Sequence, residues 1–236
     1  MNLFSLEQTL TLDGQVRSAP SLEFSNALDR LSLGYILLEH DYLGPFAWDA
    51  LTPFEQSIAT GFSERRKRSF IASRISLKLL AYKMGLVHAE QEAHTLETAN
   101  RNDRRPILSD RVDFYASVSH DKRFVLTVAD KRPIGVDIEV ISPKLVKAGH
   151  IFMSKDELAT AGSSGLDMTQ GATMIWTAKE AASKALNLHL IDAWRAVHLA
   201  KLDVKESIFI YGGGELTATH LFAWDRVISL VSSTAL

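Results

Sequence analysis

Apolar residues recur along this chain with two different periods. Where they alternate with polar residues, or form short runs between turn-forming residues, the pattern predicts β-strands. Where they recur every three to four residues, it predicts helices. The strand pattern covers residues 31–38, 112–119, 123–129, 134–141, 197–204, 208–211 and 227–231. The helical pattern covers a segment after Thr52, residues 63–84, a segment from Ser154 to Gly162, and residues 172–186.

Two of the predicted helices begin with a capping box, in which a Ser or Thr and a Glu three residues later bind each other's backbone amides. Thr52 and Glu55 form the first box, and Ser154 and Glu157 form the second. Gly85 ends the helix of residues 63–84, because glycine readily adopts the conformation that closes a helix. Residues 165–171 begin and end with glycine and are expected to form a flexible link.

The order of these elements predicts two mixed halves. Residues 88–110 are polar with weak periodicity, and we expect the boundary between residues 1–110 and residues 111–236 at their end. The second half opens with three closely spaced strands, which predict an antiparallel meander. Because both halves combine helices with sheet, the expected fold class is α+β.

Composition excludes several classes of protein. The 236 residues are 46% apolar, enough to bury a substantial core, and their net charge of −2 provides no overall field for nucleic-acid binding. The absence of cysteine excludes disulfides, thiolate zinc sites and cysteine nucleophiles. The amino terminus lacks a signal-peptide pattern, and no apolar segment approaches membrane-spanning length. We therefore expect a cytoplasmic protein that binds neither nucleic acid nor membrane.

Two charged motifs suggest a metal and phosphate site. Asp137 and Glu139 are two apart in a predicted strand, so their carboxylates leave the same face of the sheet. Glu180 and Lys184 are four apart in a predicted helix and share one face. Three carboxylates favour a hard cation such as Mg²⁺ or Mn²⁺. The alternative is that these residues form a solvated strand face and a surface ion pair.

Further residues are candidates for binding anions. Ser119 and His120 end a predicted strand, where a hydroxyl and an imidazole can bind phosphate; the alternative is an ordinary hairpin turn. Residues 64–68 place four positive charges at a helix start, which attracts an anion or forms a solvated basic face. Arg74 lies among apolar positions of the same helix, and Arg105 precedes a rigid proline.

The order of these motifs resembles the 4′-phosphopantetheinyl transferases, specifically their long, surfactin-synthetase-activating type. The resemblance spans residues 51–188. It is carried by the basic helix, Arg105-Pro106, Ser-Val-Ser-His at 117–120, Gly-Val-Asp-Ile-Glu at 135–139 and Trp-Thr-Ala-Lys-Glu-Ala-Ala-Ser-Lys at 176–184. The last two motifs at this spacing form the family's signature. The resemblance implies a pseudo-dimer of two similar α+β halves with antiparallel sheets and coenzyme A in the cleft between them.

The resemblance also implies roles for individual residues. Mg²⁺, or Mn²⁺ in its place, would be bound by Asp137, Glu139 and Glu180. Lys184 would hold the pyrophosphate of coenzyme A, and the catalytic residues would be Glu180, Lys184 and Asp137. Either Glu180 or a water on the metal would accept the serine proton, and the motifs do not choose between them.

Coenzyme A contacts follow from the same resemblance. They would be made by Arg74, Arg105, Ser119, His120, Lys179 and Lys184. Arg105 stands where the family more often has lysine, and a planar guanidinium binds phosphate differently from an ammonium group.

The implied reaction is transfer of 4′-phosphopantetheine from coenzyme A to a serine of an apo carrier protein, with release of adenosine 3′,5′-bisphosphate. Its partners would be an acyl, peptidyl or aryl carrier and coenzyme A, and a monomer is expected because internal duplication supplies both halves. Two alternatives remain: another Mg²⁺-dependent enzyme that cleaves a pyrophosphate, and a non-catalytic module that binds coenzyme A or a carrier.

Overall fold

The computed structural model describes residues 34–39, 45–87, 94–99, 105–108 and 114–232. The chain divides into two compact units, Met1–Lys131 and Arg132–Leu236. The expectations for residues 31–33, 88–93, 100–104 and 109–113 lie outside the described residues. Among the helices of the described part, none is both long enough and apolar enough to cross a membrane.

The first unit is a three-stranded antiparallel sheet with a long helix packed on it. Its helices α1 (Pro53–Thr60) and α2 (Glu64–Lys83) follow a short 3-10 helix, Pro45–Trp48. Its strands, in the spatial order β1-β3-β2, are β1 (Gly34–Glu39), β2 (Tyr115–His120) and β3 (Phe124–Asp130). Leu77, Leu80 and Ala81 of α2 are buried in one cluster with Ala116 of β2 and Ala129 of β3.

The second unit is a five-stranded antiparallel sheet that packs against helices. Its strands are β4 (Ile134–Val140), β5 (His198–Lys201), β6 (Glu206–Tyr211), β7 (Gly214–Ala223) and β8 (Arg226–Ser232), in the spatial order β4-β8-β7-β6-β5. Its helices are α3 (Pro143–Phe152), α4 (Lys155–Ser163), α5 (Met168–Ala185) and α6 (Leu190–Ala196). Helix α5 packs against β4 and β8, and its buried alanines allow it to lie close to the sheet. Helices on antiparallel sheets confirm the predicted α+β class.

The predicted meander of β2, β3 and β4 is wrong, because β4 does not pair with β3. One edge of β3 pairs with β2 and the other with β1, in the register Ile36↔Thr127. Strand β4 instead pairs with β8 in the second sheet, in the register Asp137↔Ser229. The first unit therefore includes the β2–β3 hairpin and extends beyond residue 110, the end expected from the sequence.

Local signals in the sequence explain several elements and miss others. Both predicted capping boxes, Thr52 with Glu55 and Ser154 with Glu157, are present with reciprocal hydrogen bonds. Helix α5 begins at Met168, earlier than predicted, because Asp167 caps it by accepting hydrogen bonds from two backbone amides. Part of the expected link at residues 165–171 is therefore helical. Helices α3 and α6 and strand β7 were not predicted.

The two units repeat one connection between helix and sheet. In the first unit, Ser76 Oγ of α2 lies 2.6 Å from Thr127 Oγ1 of β3. In the second unit, Thr177 Oγ1 of α5 lies 2.6 Å from Ser229 Oγ of β8. Each pair joins the long helix to a strand in the interior of its own sheet, with a neighbouring strand on either side. This repetition agrees with the expectation of two similar α+β halves.

Candidate functional site

Asp137 and Lys184 form a charge pair between β4 and α5. Lys184 donates from Nζ to Asp137 Oδ1 at 2.9 Å and to the carbonyl oxygen of Val136 at 2.8 Å. The Asp137 side chain is 4% exposed, whereas that of Lys184 is 29% exposed. The pair therefore lies at the boundary between the core of the second unit and solvent.

Gly135 allows α5 to approach β4 closely enough for this pair to form. A Cβ atom at position 135 would lie 1.8 Å from the carbonyl oxygen of Ala181 and 2.7 Å from the backbone nitrogen of Ala185. Both are helix backbone atoms, which cannot move aside as a flexible side chain can. The glycine of the Gly-Val-Asp-Ile-Glu motif thus sets the spacing between Asp137 and the helix that carries Lys184.

Glu180, one turn before Lys184 on α5, interacts with the same aspartate. Burial, followed by the negative charges of Asp137 and Glu139, raises the pKa of Glu180 to about 8, although Lys184 acts in the opposite direction. A hydrogen bond with Asp137 also favours the protonated form of Glu180. At neutral pH, Glu180 therefore favours its protonated form beside Asp137.

These two carboxyl groups fit a hard divalent cation. Within the described residues, no group of three His, Asp or Glu side chains is gathered as a metal site. Of the three predicted ligands, Asp137 and Glu180 are brought together, whereas Glu139 acts on Glu180 through its charge. Mg²⁺ commonly binds one or two carboxylates and completes its coordination with water and phosphate oxygens. A cation bound here would displace the proton of Glu180 and offset the repulsion between the acids.

Lys179, another residue of the Trp176–Lys184 motif, is buried in the core of the second unit. Its Nζ donates to the carbonyl oxygen of Phe152 at 2.8 Å, to Glu157 Oε2 at 2.9 Å and to the carbonyl oxygen of Trp194 at 3.3 Å. An ammonium group has three N–H donors, so these acceptors use all of them. The structure therefore leaves Lys179 no donor for a phosphate of coenzyme A.

The first unit contains the same buried arrangement. Lys78 of α2 donates to the carbonyl oxygens of Ala50 at 2.8 Å and His94 at 3.3 Å, and its Nζ lies 3.1 Å from Glu55 Oε2. Glu55, like Glu157, also accepts the amide of its own helix cap. A buried Lys–Glu pair is thus part of the repeated helix-on-sheet arrangement in both units.

A basic pocket lies along α2 in the first unit, with a volume of about 510 Å³. Its lining includes Arg65, Arg66, Arg74 and His120, together with the aromatic rings of Phe62 and Phe70. The Arg66 guanidinium lies 4.0 Å from the Phe62 ring centroid, and that of Arg74 lies 5.0 Å from the Phe70 ring centroid. Positive groups above aromatic faces can receive an anion and an aromatic ring together.

Arg74 is the most buried charge of this pocket, with 9% of the residue exposed. It donates from one terminal nitrogen to the carbonyl oxygen of Thr98 at 2.9 Å, and its buried Nε has no hydrogen-bond acceptor within the described residues. Burial lowers the pKa of Arg74 to about 10, so the group is still positive at neutral pH. A buried positive group with an unused donor favours an anionic ligand.

Ser119 and Arg105 are placed differently from Arg74 and His120. Ser119 precedes His120 on β2, so the two side chains leave opposite faces of the strand. Among the described residues that line the pocket, His120 is present and Ser119 is not. The Arg105 guanidinium lies 5.6 Å from the ring centroid of Tyr115, at the start of β2. Of the predicted phosphate contacts in the first unit, the pocket thus gathers Arg74 and His120.

Sequence reasoning missed the second role of Glu157, which binds Lys179 as well as capping its own helix. A signal for it was present, because both capping boxes precede a long helix that contains a buried lysine. The box of Thr52 and Glu55 precedes Lys78, and that of Ser154 and Glu157 precedes Lys179. Aligning the two segments would have identified both lysines as structural candidates.

Comparisons with known proteins found a family and a relative. The family model described as the 4′-phosphopantetheinyl transferase superfamily matches residues 133–229, which include Asp137, Glu139, Glu180 and Lys184. The 4′-phosphopantetheinyl transferase Sfp of Bacillus subtilis (strain 168) is 31% identical over 81 residues, which cover 34% of this chain and 36% of that protein. The match with this relative thus spans about a third of its length.

Proposed function

We propose that this chain, whose residues 133–229 match the 4′-phosphopantetheinyl transferase superfamily, transfers 4′-phosphopantetheine from coenzyme A to a serine of an apo carrier protein. The carrier would be an acyl, peptidyl or aryl carrier. In the reaction, the serine oxygen forms a bond to the phosphorus that bears the pantetheine arm. The bond from that phosphorus to the bridging oxygen breaks, and adenosine 3′,5′-bisphosphate leaves.

The observation that carries this proposal is the group formed by Asp137, Glu180 and Lys184. Two interacting carboxyl groups, with an ammonium 2.9 Å from Asp137, suit a divalent cation and a pyrophosphate. All three residues lie in the segment that matches the family. The sequence resemblance and the local geometry therefore support the same activity.

Asp137 and Glu180 would hold Mg²⁺ or Mn²⁺, with Glu139 adding negative charge beside them. When bound, the cation would supply positive charge against the pyrophosphate oxygens. Lys184 would add a second positive charge, because its partly exposed ammonium lies beside Asp137. Charge that develops on the departing phosphate would thus be stabilised by fixed groups of the second unit.

Glu180 is this chain's candidate acceptor for the proton of the carrier serine. Its pKa of about 8 applies to the chain without a cation, and a bound cation would lower that pKa. A water on the cation is therefore the second candidate acceptor. Deprotonated Glu180 would take the proton as the serine oxygen bonds to phosphorus.

Coenzyme A would also need groups that bind its remaining phosphates. Arg74 and His120 are proposed for this role because both line the basic pocket of the first unit, and Arg74 has a buried unused donor. Ser119 and Arg105 are proposed from the resemblance alone. Lys179 is not included, because its three donors are used within the second unit.

The proposal is tested by incubating the purified protein with coenzyme A, Mg²⁺ and a panel of apo carriers and measuring the intact carrier mass. We expect one carrier to gain one phosphopantetheine group. Asp137→Asn should abolish the gain, whereas Asp192→Asn, which alters an exposed acid of α6, should retain it.

The same experiment separates the two alternatives. Hydrolysis of coenzyme A without any carrier gain would favour another pyrophosphate-cleaving enzyme. Binding of coenzyme A without turnover would favour a non-catalytic module. Either result would contradict the proposed transferase activity.

A further inference from the structure

A row of polar side chains crosses the sheet of the second unit beneath α5. Asp137 of β4 is the register partner of Ser229 of β8, and Ser229 is the register partner of His220 of β7. Ser207 of the next strand, β6, lies within hydrogen-bond distance of His220. We call these four residues the polar row. It connects the candidate metal ligand Asp137 to the middle of the sheet.

Hydrogen bonds join the histidine to its neighbours on both sides. His220 Nδ1 lies 2.9 Å from Ser229 Oγ, and His220 Nε2 lies 2.9 Å from Ser207 Oγ. Both ring nitrogens are therefore engaged, which fixes the plane of the imidazole. Since every member of the polar row is nearly or fully buried, water cannot readily replace these bonds.

The imidazole is neutral in this setting. Burial lowers the pKa of His220 to about 4, although the negative charge of Asp203, between β5 and β6, acts in the opposite direction. A neutral imidazole donates with one nitrogen and accepts with the other. His220 can therefore pass a directed hydrogen bond from one serine hydroxyl to the other.

The polar row continues onto the helix that carries Glu180 and Lys184. Ser229 Oγ lies 2.6 Å from Thr177 Oγ1, which is also within reach of the carbonyl oxygens of Thr173 and Met174. Lys184 lies seven positions after Thr177 and therefore on the same side of α5. Ser229 thus lies beside Asp137 in the sheet and holds the helix face that bears Lys184.

The first unit is a natural comparison, because it repeats the hydroxyl pair with apolar residues at the flanking positions. Thr127 of β3, which bonds Ser76 of α2, has Ile36 as its register partner on one side and Val118 on the other. These are the positions of Asp137 and His220 relative to Ser229. At these two positions the first unit has neither an aspartate nor a histidine, although its helix and sheet are joined by the same type of hydroxyl pair.

We propose that His220, Ser229 and Thr177 are positioning residues for the Asp137–Glu180 pair. They fix the height and rotation of α5 over β4 and thereby the separation of the two carboxyl groups. Helix packing alone does not account for His220, because the first unit packs its helix with Val118 in that place. Groups that orient metal ligands typically contribute 10- to 100-fold to metal affinity or activity.

This inference rests on the proposed function, because it assigns the positioned pair to a divalent cation. Its test measures Mn²⁺ binding by the electron paramagnetic resonance signal of the free ion. Thr177→Val removes the hydroxyl and keeps the shape, whereas Thr177→Ser retains the hydroxyl. Thr127→Val makes the same exchange in the hydroxyl pair of the first unit and serves as the matched control.

We expect Thr177→Val to weaken Mn²⁺ binding by about 10-fold or more, while Thr177→Ser and Thr127→Val bind Mn²⁺ as the wild type does. Thermal unfolding should shift by similar amounts in the two valine variants, which separates positioning from stability. His220→Gln should weaken Mn²⁺ binding in the same direction. Equal Mn²⁺ affinity in wild type and Thr177→Val, or no Mn²⁺ binding by the wild type, would overturn the inference.

The Mn²⁺-binding test and the carrier assay can fail independently. If Thr177→Val weakens Mn²⁺ binding but no carrier gains mass with the wild type, the transferase proposal fails and the positioning role stands. If a carrier gains mass and the Thr177→Val variant binds Mn²⁺ normally, the positioning role fails and the transferase proposal stands.

Discussion

Lys184 Nζ lies 2.9 Å from Asp137 Oδ1, although helices α3 and α4 and most of α5 lie between the two residues in the chain. The contact exists because β4 and α5 pack closely at Gly135, where a side chain would overlap helix backbone. The Asp137–Lys184 charge pair thus depends on the absence of one Cβ atom.

Gly135→Ala should be strongly destabilising, whereas Gly34→Ala should be tolerated. At position 135 the added carbon meets backbone atoms of α5, so we expect a loss of about 3 kcal/mol or more in the free energy of unfolding. At position 34 of the first unit it meets the flexible end of Met84 at 2.7 Å, and we expect a loss below about 1 kcal/mol. Urea unfolding of both variants measures the difference, and equal losses would contradict the assigned packing.

Lys179→Met and Lys78→Met should have matching effects on stability and little effect on ligand affinity. Each leaves a buried glutamate without its partner, which typically costs about 3–5 kcal/mol. Titration of the folded protein with coenzyme A, in trimethylamine N-oxide if needed, should give similar affinities for both variants. A selective loss of affinity in Lys179→Met would return Lys179 to the residues that contact coenzyme A.

Arg74→Met should weaken coenzyme A binding, and Arg68→Met should not. Arg74 is buried in the basic pocket, where it is expected to bind a phosphate oxygen, whereas Arg68 is exposed and is not among the described lining residues. Loss of one buried charge-assisted contact costs about 1.5–3 kcal/mol, or roughly 10-fold to 100-fold in affinity. Isothermal titration with coenzyme A measures it, and equal affinities in the two variants would remove Arg74 from the proposed site.

His220 should make stability depend on pH in acid. Its pKa is about 4 in the folded protein and near 6.5 when unfolded, so the unfolded state binds more protons between these values. The free energy of unfolding is therefore highest above pH 6.5 and decreases as the pH falls towards 4. The difference between the two pKa values of His220 corresponds to about 3 kcal/mol of that free energy. Between pH 6.5 and 4 the wild type should lose that much more stability than His220→Gln, as measured by urea unfolding; parallel curves would contradict a buried neutral His220.

Much of the fold follows from short-range signals in the sequence. The capping boxes at Thr52 and Ser154 predicted two helix starts, and the apolar periods predicted α2 and most of α5. The pairing of β4 was not predictable from its neighbours, because its partner β8 lies at the far end of the second unit. Helix α3 was not predicted, although Ser142 caps it and Pro143 lies in its first turn.

The candidate site was predictable in its residue types and less so in its geometry. Strand parity and helix spacing identified Asp137, Glu180 and Lys184, which lie together in the second unit. The same motif also contains Lys179, whose burial depends on Glu157 and on backbone carbonyls distant in sequence. Spacing alone could not distinguish buried Lys179 from partly exposed Lys184. It predicts which helix face a residue occupies but not what covers that face.

Transferase activity is measured by the intact mass of an apo carrier after incubation with the wild-type protein, coenzyme A and Mg²⁺. We expect the carrier to gain one phosphopantetheine group, Asp137→Asn to prevent the gain, and adenosine 3′,5′-bisphosphate to appear in equal amount. A full panel of acyl, peptidyl and aryl carriers that remains unmodified, with the protein folded and coenzyme A intact, would contradict it.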